Sequence, residues 1–406
     1  MKQLVFRVGA FLLFGIIIAA AIITSLDDIG GSYSEILQSL EEEPVIRPGM
    51  AYYNKLTKKQ QYIYDCIAKA ADKLEHTTEK MPIVPEMDDI TSAANALLAD
   101  RPEYFYISVD GFSLEDYSYT EVVTDEETAV VTGSNVIDER YTALFIPYTE
   151  TVEELKIKQS RLEAAISKAQ SLTSGMEDEL DIQTALHDYI VSICEKSQDG
   201  GMYNSNVYGA LVEGQANAEG YHKAFKLLLN RAGIISHLAY GEVRGTRSVW
   251  CTVLINDKYY NTDVYEDDLD SEFDGQTVRG LITHAYMNLS DDAIGKTHKK
   301  TDPNSVKCTD NTTYYTAKQL VCTNEGMTEK LISAQLADFV KYKKKSMELY
   351  CEYDVSNDDI ETFVFRQFEL LYPEYTCECK VIKPKTEFDA YTLVIDYMPR
   401  AEESTI

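Results

Sequence analysis

His222, Ser248 and Asp263 have the side chains that nucleophilic acyl transfer requires: a hydroxyl, an imidazole to take its proton, and a carboxylate to orient the ring. His222 lies four residues after Ala218, on the same face of a predicted helix. Ser248 and Trp250 alternate onto one face of a predicted strand, which turns Cys251 to the other face, toward the core. The set works only if all three converge within hydrogen-bond reach. Metal chemistry finds less support. The six histidines are scattered, no Cys-x-x-Cys occurs, and no loop resembles an EF-hand. Asp267, Asp268 and Asp270 read as a solvated acidic loop with weak cation affinity at most, so no cofactor or metal is expected.

The elements that must position these residues follow from periodicity. A charged helix is expected over 152–170 and a stronger one over 178–195, with Leu186, Tyr189, Ile190 and Ile193 on its apolar face. After Gly200-Gly201 the stretch Tyr208–Tyr221 opens a helix with Tyr221, Phe225, Leu228 and Ala232 on one face. Strand-like runs follow at 234–241, 249–255 and 258–264, the last two joined by an Asn256-Asp257 hairpin turn. Upstream, Ile63, Ile67, Ala70 and Leu74 mark one helix and Ala93, Leu97 and Leu98 a second, which ends at Asp100-Arg101-Pro102. Strand-like runs rich in Tyr, Val and Thr come next, at 104–108, 117–123, 128–132 and 141–147. Past residue 300 the pattern gives a helix at 328–340, a strand at 346–353, a helix opened by Ser356 with Asp359 three residues on, and strands at 376–383 and 390–397.

The run Gly214-Gln215-Ala216-Asn217-Ala218-Glu219-Gly220-Tyr221, followed by Ser248-Val249-Trp250 and Tyr260-Asn261-Thr262-Asp263-Val264, resembles the transglutaminase-like superfamily. That family carries patterns like G-x-A-x-C-E-G-Y, H-A-W and Y-x-x-D-V. The resemblance covers about 176–292, where 285–292 looks like the family's closing strand. Asp100–Phe105 looks like exported bacterial members. It implies a papain-like α+β fold, a helix packed on an antiparallel sheet, in which a thiolate at the helix N-terminus attacks an amide carbonyl. Here the nucleophile position is Ala218 and the base position Ser248, so only Asp263 of the three remains. The resemblance therefore implies a degenerate triad and no catalysis, with Glu219, Tyr221, His222 and Trp250 as groove residues for a ligand. A metal-dependent branch of the family uses calcium, but nothing in this sequence carries that over.

At 406 residues, two or three domains are expected. Their order is a membrane anchor at 1–27, a stalk at 28–50, an α+β domain at 51–150, the transglutaminase-like domain at 151–300 and a small α+β domain at 301–406. The anchor, residues 4–26, centres on the apolar run Val8–Ile23, with Lys2 and Arg7 before it and Asp27 and Asp28 after, which places the N-terminus in the cytoplasm and the body outside. The alternative is a signal peptide cleaved near Ala19–Ala21, leaving a secreted body. A net charge of −29, from 67 acidic and 38 basic residues, repels nucleic acid and anionic lipid.

Eight cysteines in an exported chain have the option of pairing. Cys351 with the Cys377/Cys379 strand and Cys308 with Cys322 are the pairs considered, against free buried thiols. The preferred reading is a pseudoenzyme whose cleft binds a peptide or cell-wall component. The alternatives are an acyl-transferase or hydrolase built on Ser248, His222 and Asp263, and a structural part of an envelope assembly contacting another envelope protein.

Overall fold

A computed structural model describes residues 6–9, 33–124, 131–197, 200–273, 276–302, 305–382 and 390–400. The chain divides into two compact units, Met1–Ser160 and Arg161–Ile406.

In the first unit, β1 (Phe6–Gly9) is followed by α1 (Tyr33–Ser39), α2 (Lys58–Asp72), α3 (Met87–Asp100), β2 (Ser113–Thr124) and β3 (Val131–Phe145). Thr57 and Gln60 close a capping box at the start of α2. Ile63, Tyr64, Ile67 and Ala71 on that helix are buried, and Ile90, Ala93, Ala94 and Leu97 are the buried face of α3. The strands form one antiparallel sheet in the order β1-β2-β3.

Several expectations change in this unit. Residues 6–9 pair with β2 as a strand rather than starting a helix. The rest of the apolar run lies outside the described residues, and no helix among the described residues is long and apolar enough to cross a membrane. The region expected as a stalk holds α1 and then docks. Arg47 binds Asp65 at 2.7 and 2.8 Å, and the Gln61 amide exchanges hydrogen bonds with the backbone of Val45. The strands expected at 128–132 and 141–147 are not separate where they are described: residues 131–145 form the single strand β3, register shifts against β2 absorbing the polar residues between, and 128–130 lie outside the described residues. The strand expected at 104–108 begins instead as a helical turn, where Pro102 presets φ.

The long helix α4 (Val152–Leu172) spans the boundary between the units. The second unit then runs α5 (Glu179–Ile193), β4 (Glu195–Lys196), β5 (Gln215–Ala216), α6 (Ala218–Arg231), β6 (Ser236–Val243), β7 (Thr246–Ile255) and β8 (Lys258–Thr262). It continues through α7 (Val264–Asp267), β9 (Asp268–Phe273), β10 (Gln276–Ile282), α8 (Asp291–Ile294), β11 (His298–Lys300) and α9 (Tyr314–Ala317). It ends with β12 (Val321–Cys322), α10 (Glu325–Leu336), β13 (Ser346–Cys351), α11 (Asn357–Leu371), β14 (Tyr375–Ile382) and β15 (Ala390–Pro399). The mixture of helices and largely antiparallel sheets is α+β. One antiparallel sheet has the order β11-β6-β7-β8, and α6 packs on it through Tyr221, Phe225 and Leu228, all buried. Asn256 and Asp257 both take positive φ (49° and 62°), the requirement of a tight two-residue hairpin.

The second sheet has the order β12-β13-β15-β14. Its core joins Ile332 and Leu336 of α10, Val364 and Phe368 of α11, and Leu349 and Leu393 of the sheet. The tail expected as a separate domain at 301–406 belongs to the same compact unit as the middle of the chain. Tyr314, Tyr315 and Ala390 share one buried cluster with Trp250 and Tyr286. The closing strand expected at 285–292 is a loop over 285–290 that makes one bridge, Leu289 to Asn261, and then enters α8. All eight cysteines are thiols, and Cys351 stands opposite Cys322 across β12 and β13 rather than beside Cys377 and Cys379.

Candidate functional site

Ala218 is the first residue of α6, and the sequence before it fixes that position. The Asn217 side chain accepts the Gly220 amide at 3.1 Å and caps the helix. Gly220 must be glycine, because a Cβ there would lie 2.5 Å from the Asn204 carbonyl oxygen and 2.7 Å from the Ala216 methyl. The helix start is thereby pressed against the 204–216 segment, with Ala218 partly exposed beside a groove of about 690 Å³. Three elements bound the groove: the α6 start, the β6–β7 hairpin with Tyr240, Arg247 and Ser248, and α7 with Tyr265 and Glu266. Arg244 also lines it, tied to Glu266 at 2.6 Å and to the Tyr286 hydroxyl at 2.7 Å. Glu219 lines it with its carboxylate paired to Lys223 at 2.9 Å.

The structure brings some of the sequence-derived residues together and separates others. Ala218, Glu219 and Ser248 face the groove. Tyr221, His222 and Trp250, expected as contact residues, are fully buried instead. The Tyr221 hydroxyl shares its one proton between the Cys194 carbonyl (2.6 Å) and Asp268 (2.7 Å), and the Trp250 indole donates to Asn261 (3.0 Å). Cys251 is buried, its thiol directed at the His222 carbonyl. Asp267 and Asp268, read from sequence as a solvated loop, are buried as well, drawn inward by His187 and Tyr221.

Asp263 is the hub beneath the groove. One carboxylate oxygen accepts the Glu266 amide at 2.9 Å, capping α7, and lies 3.2 Å from His222 Nε2. The other accepts His298 Nε2 at 2.9 Å. Burial alone would raise this carboxyl; the neighbouring charge and hydrogen bonds of His222 and His298 outweigh it and hold the group below the usual carboxylate range. Both rings are fully engaged. His222 donates from Nδ1 to the Ala218 carbonyl at 2.6 Å and meets the Val264 amide through Nε2 at 3.1 Å. His298 meets the Thr297 hydroxyl through Nδ1 at 2.8 Å and is packed edge-on against Trp250. Among the described residues no hydrogen bond joins Ser248 to His222, so the Asp263–His222 half of the postulated set forms without its hydroxyl.

Sequence reasoning missed His298, a lone histidine after the resembling segment with no pattern around it. It also missed a second buried cluster. His187 and Asp188 on α5 meet His284 from the loop after β10, with Asp267 and Glu348 behind them. Burial disfavours charge on His284, but Glu348 and Asp188 outweigh it and raise its pKa to about 10. Burial raises Asp267 to about 6, with His187 opposing. These five residues are scattered from 187 to 348, and only tertiary folding assembles them.

No family model and no curated protein matches the chain. Among solved structures it is similar to one described as a crystal structure of a TGase, at 10% identity and a TM-score of 0.26, covering 34% of this chain and 44% of that one. It is also similar to the periplasmic domain of TgpA from Pseudomonas aeruginosa, at 11% identity and a TM-score of 0.22, covering 39% and 72%. The chain thus spans less than half the length of the TGase it matches, and overlaps this short and distant leave the chemistry to be read from the side chains.

Proposed function

We propose that the chain is an exported, membrane-anchored relative of transglutaminases that binds a ligand in its groove and does not turn it over. One observation carries this reading: the helix start that would present a nucleophile presents the Ala218 methyl, and neither nearby imidazole has a free ring nitrogen to act as a base. Loss of such groups typically costs on the order of 10⁴–10⁶ in rate. The groove itself is open, which favours a binding role over a vestigial cleft. The exposed guanidinium of Arg247 and the positive end of α6 favour a carboxylate-bearing peptide or wall fragment.

The test uses the full chain in two assays. Incubation with a glutamine-containing peptide and hydroxylamine is expected to give no product above buffer. Titration with soluble peptidoglycan fragments is expected to show binding that Arg247→Glu weakens at least tenfold. Turnover abolished by Ser248→Ala would replace this reading with the hydrolase alternative. Absence of fragment binding would remove the wall ligand and leave the envelope-assembly alternative.

A further inference from the structure

We infer that His187, Asp188 and His284 form a binding site for a single divalent transition metal of the zinc class, separate from the groove. Nδ1 of His187 and Nε2 of His284 converge on the same carboxylate oxygen of Asp188, at 3.0 and 2.9 Å. All three ligand atoms lie within 4.8 Å of one another. A tetrahedral ion with bonds of 2.0–2.1 Å sets its donors roughly 3.3 Å apart; each nitrogen already stands near that spacing from the Asp188 oxygen, and the remaining separation, within 4.8 Å, closes by up to about 1.5 Å when the metal binds. Two imidazoles and a carboxylate are a donor set for zinc, cobalt or nickel, whereas calcium and magnesium take oxygen.

The surroundings supply the second observation. A metal-binding histidine characteristically gives its other ring nitrogen to a carboxylate or carbonyl, which fixes ring orientation and raises basicity. Both histidines here do so: His187 Nε2 reaches Asp267 at 3.2 Å, and His284 Nδ1 reaches Glu348 at 2.5 Å. Those carboxylates are themselves held. Asp267 accepts the Tyr286 amide at 2.8 Å, and Glu348 accepts the Thr283 hydroxyl, the His284 amide and the Tyr315 hydroxyl, each at 2.9 Å. Tyr314 stacks on the His284 ring at 4.0 Å and limits its tilt. His187 is fully buried, while the Asp188 side chain is 39% exposed, so Asp188 marks the entry path and the side on which solvent completes the coordination. Charge also fits, because three carboxylates face two imidazoles and one divalent cation offsets two of the negative charges.

The experiment takes the untagged full chain, stripped with EDTA, and titrates it with Co²⁺ in the visible range and with Zn²⁺ in a calorimeter. One Co²⁺ per chain with the intense absorption of a tetrahedral ion is expected, displaced by Zn²⁺ and not by excess Ca²⁺ or Mg²⁺. Asp188→Asn and His284→Gln should each weaken binding at least tenfold. If His284→Gln does not fold, Asp188→Asn on the exposed side decides. Octahedral Co²⁺ spectra, saturation only at millimolar metal, or undiminished affinity in Asp188→Asn would overturn the site.

Discussion

Asp263→Asn isolates the hub beneath the groove with almost no change of shape. The retained oxygen still caps α7 through the Glu266 amide, but the new amide group meets His298 Nε2, which donated to Asp263 at 2.9 Å. One charge-assisted hydrogen bond is lost, about 1.5–3 kcal/mol, and a buried imidazole N–H is left unmatched at about 1–3 kcal/mol. The sum, about 2.5–6 kcal/mol, brackets the roughly 3–5 kcal/mol that removing one partner of a buried pair usually costs. At roughly 2–4 °C per kcal/mol for a unit of this size, Tm should fall by about 10 °C. The chain's single tryptophan, Trp250, sits 4.8 Å from the His298 ring centre and reports on the site directly by fluorescence. The pH dependence has a fixed sign. Asp263 is depressed in the folded state, so its contribution is full above the unfolded carboxylate value near 4 and is lost as pH falls through the folded one. The gap between wild type and variant should therefore stay flat from neutral pH down to about 4 and close only in stronger acid. A Tm change under about 2 °C, or a gap that closes between pH 7 and 5, would refute the assignment of Asp263 as a buried, ionised hub.

Ala218→Cys places a thiol at a helix N-terminus on the groove wall, where the expected pKa is in the range of about 3.5–7.5. It should react with a disulfide reagent at neutral pH while the half-buried native thiols stay slow, since burial holds Cys377 at about 11 and Cys66 and Cys379 at about 12. Labelling no faster than wild type would mean that Ala218 does not face the groove. The same variant should still hydrolyse no amide, because no free base lies beside it. Gly241→Ala drives a Cβ to 2.2 Å from the Lys299 carbonyl oxygen and 2.6 Å from the Trp250 ring, parting β6 from β11. It should cost roughly 1–3 kcal/mol or more in urea unfolding. Gly200→Ala, with open space around its Cβ, should change nothing measurable.

Local pattern carried much of the second unit. The apolar faces of α5 and α6, the Asn256-Asp257 turn and the helix opened by Ser356 are signals confined to a few neighbouring residues, and they place Ala218 at the start of α6 and Ser248 on β7, whereas Asp263, expected within a strand at 258–264, caps α7 instead. Burial was much less legible. Tyr221, His222 and Trp250 looked like contact residues because aromatic and polar side chains near a cleft suit both roles, and only the packing of α6 on its sheet turns them inward. The charged residues misled most. His187 and Asp188 lie on a helix whose apolar face was plain, yet their partners Asp267, His284 and Glu348 come from distant segments. No periodicity encodes such long-range pairing, and the same pairing makes the middle and the tail of the chain one unit.

The presence of a carboxylate at 263 does not itself argue for catalysis. Asp263 begins the single turn of α7, and Asp267 ends it. The first end holds His222 on α6 and His298 beneath Trp250; the other holds His187 on α5 and accepts the Tyr286 amide. One helical turn therefore fastens both helices and the loop after β10 through two buried acidic residues, neither of which needs a substrate to be useful. Neutralising either one strands an imidazole in the interior at a cost of several kcal/mol. By contrast, the Ala218 and Ser248 side chains are partly exposed and line the groove. Asp263 is thus fixed by what the fold asks of it, whether or not the groove beside Ala218 and Ser248 holds a ligand.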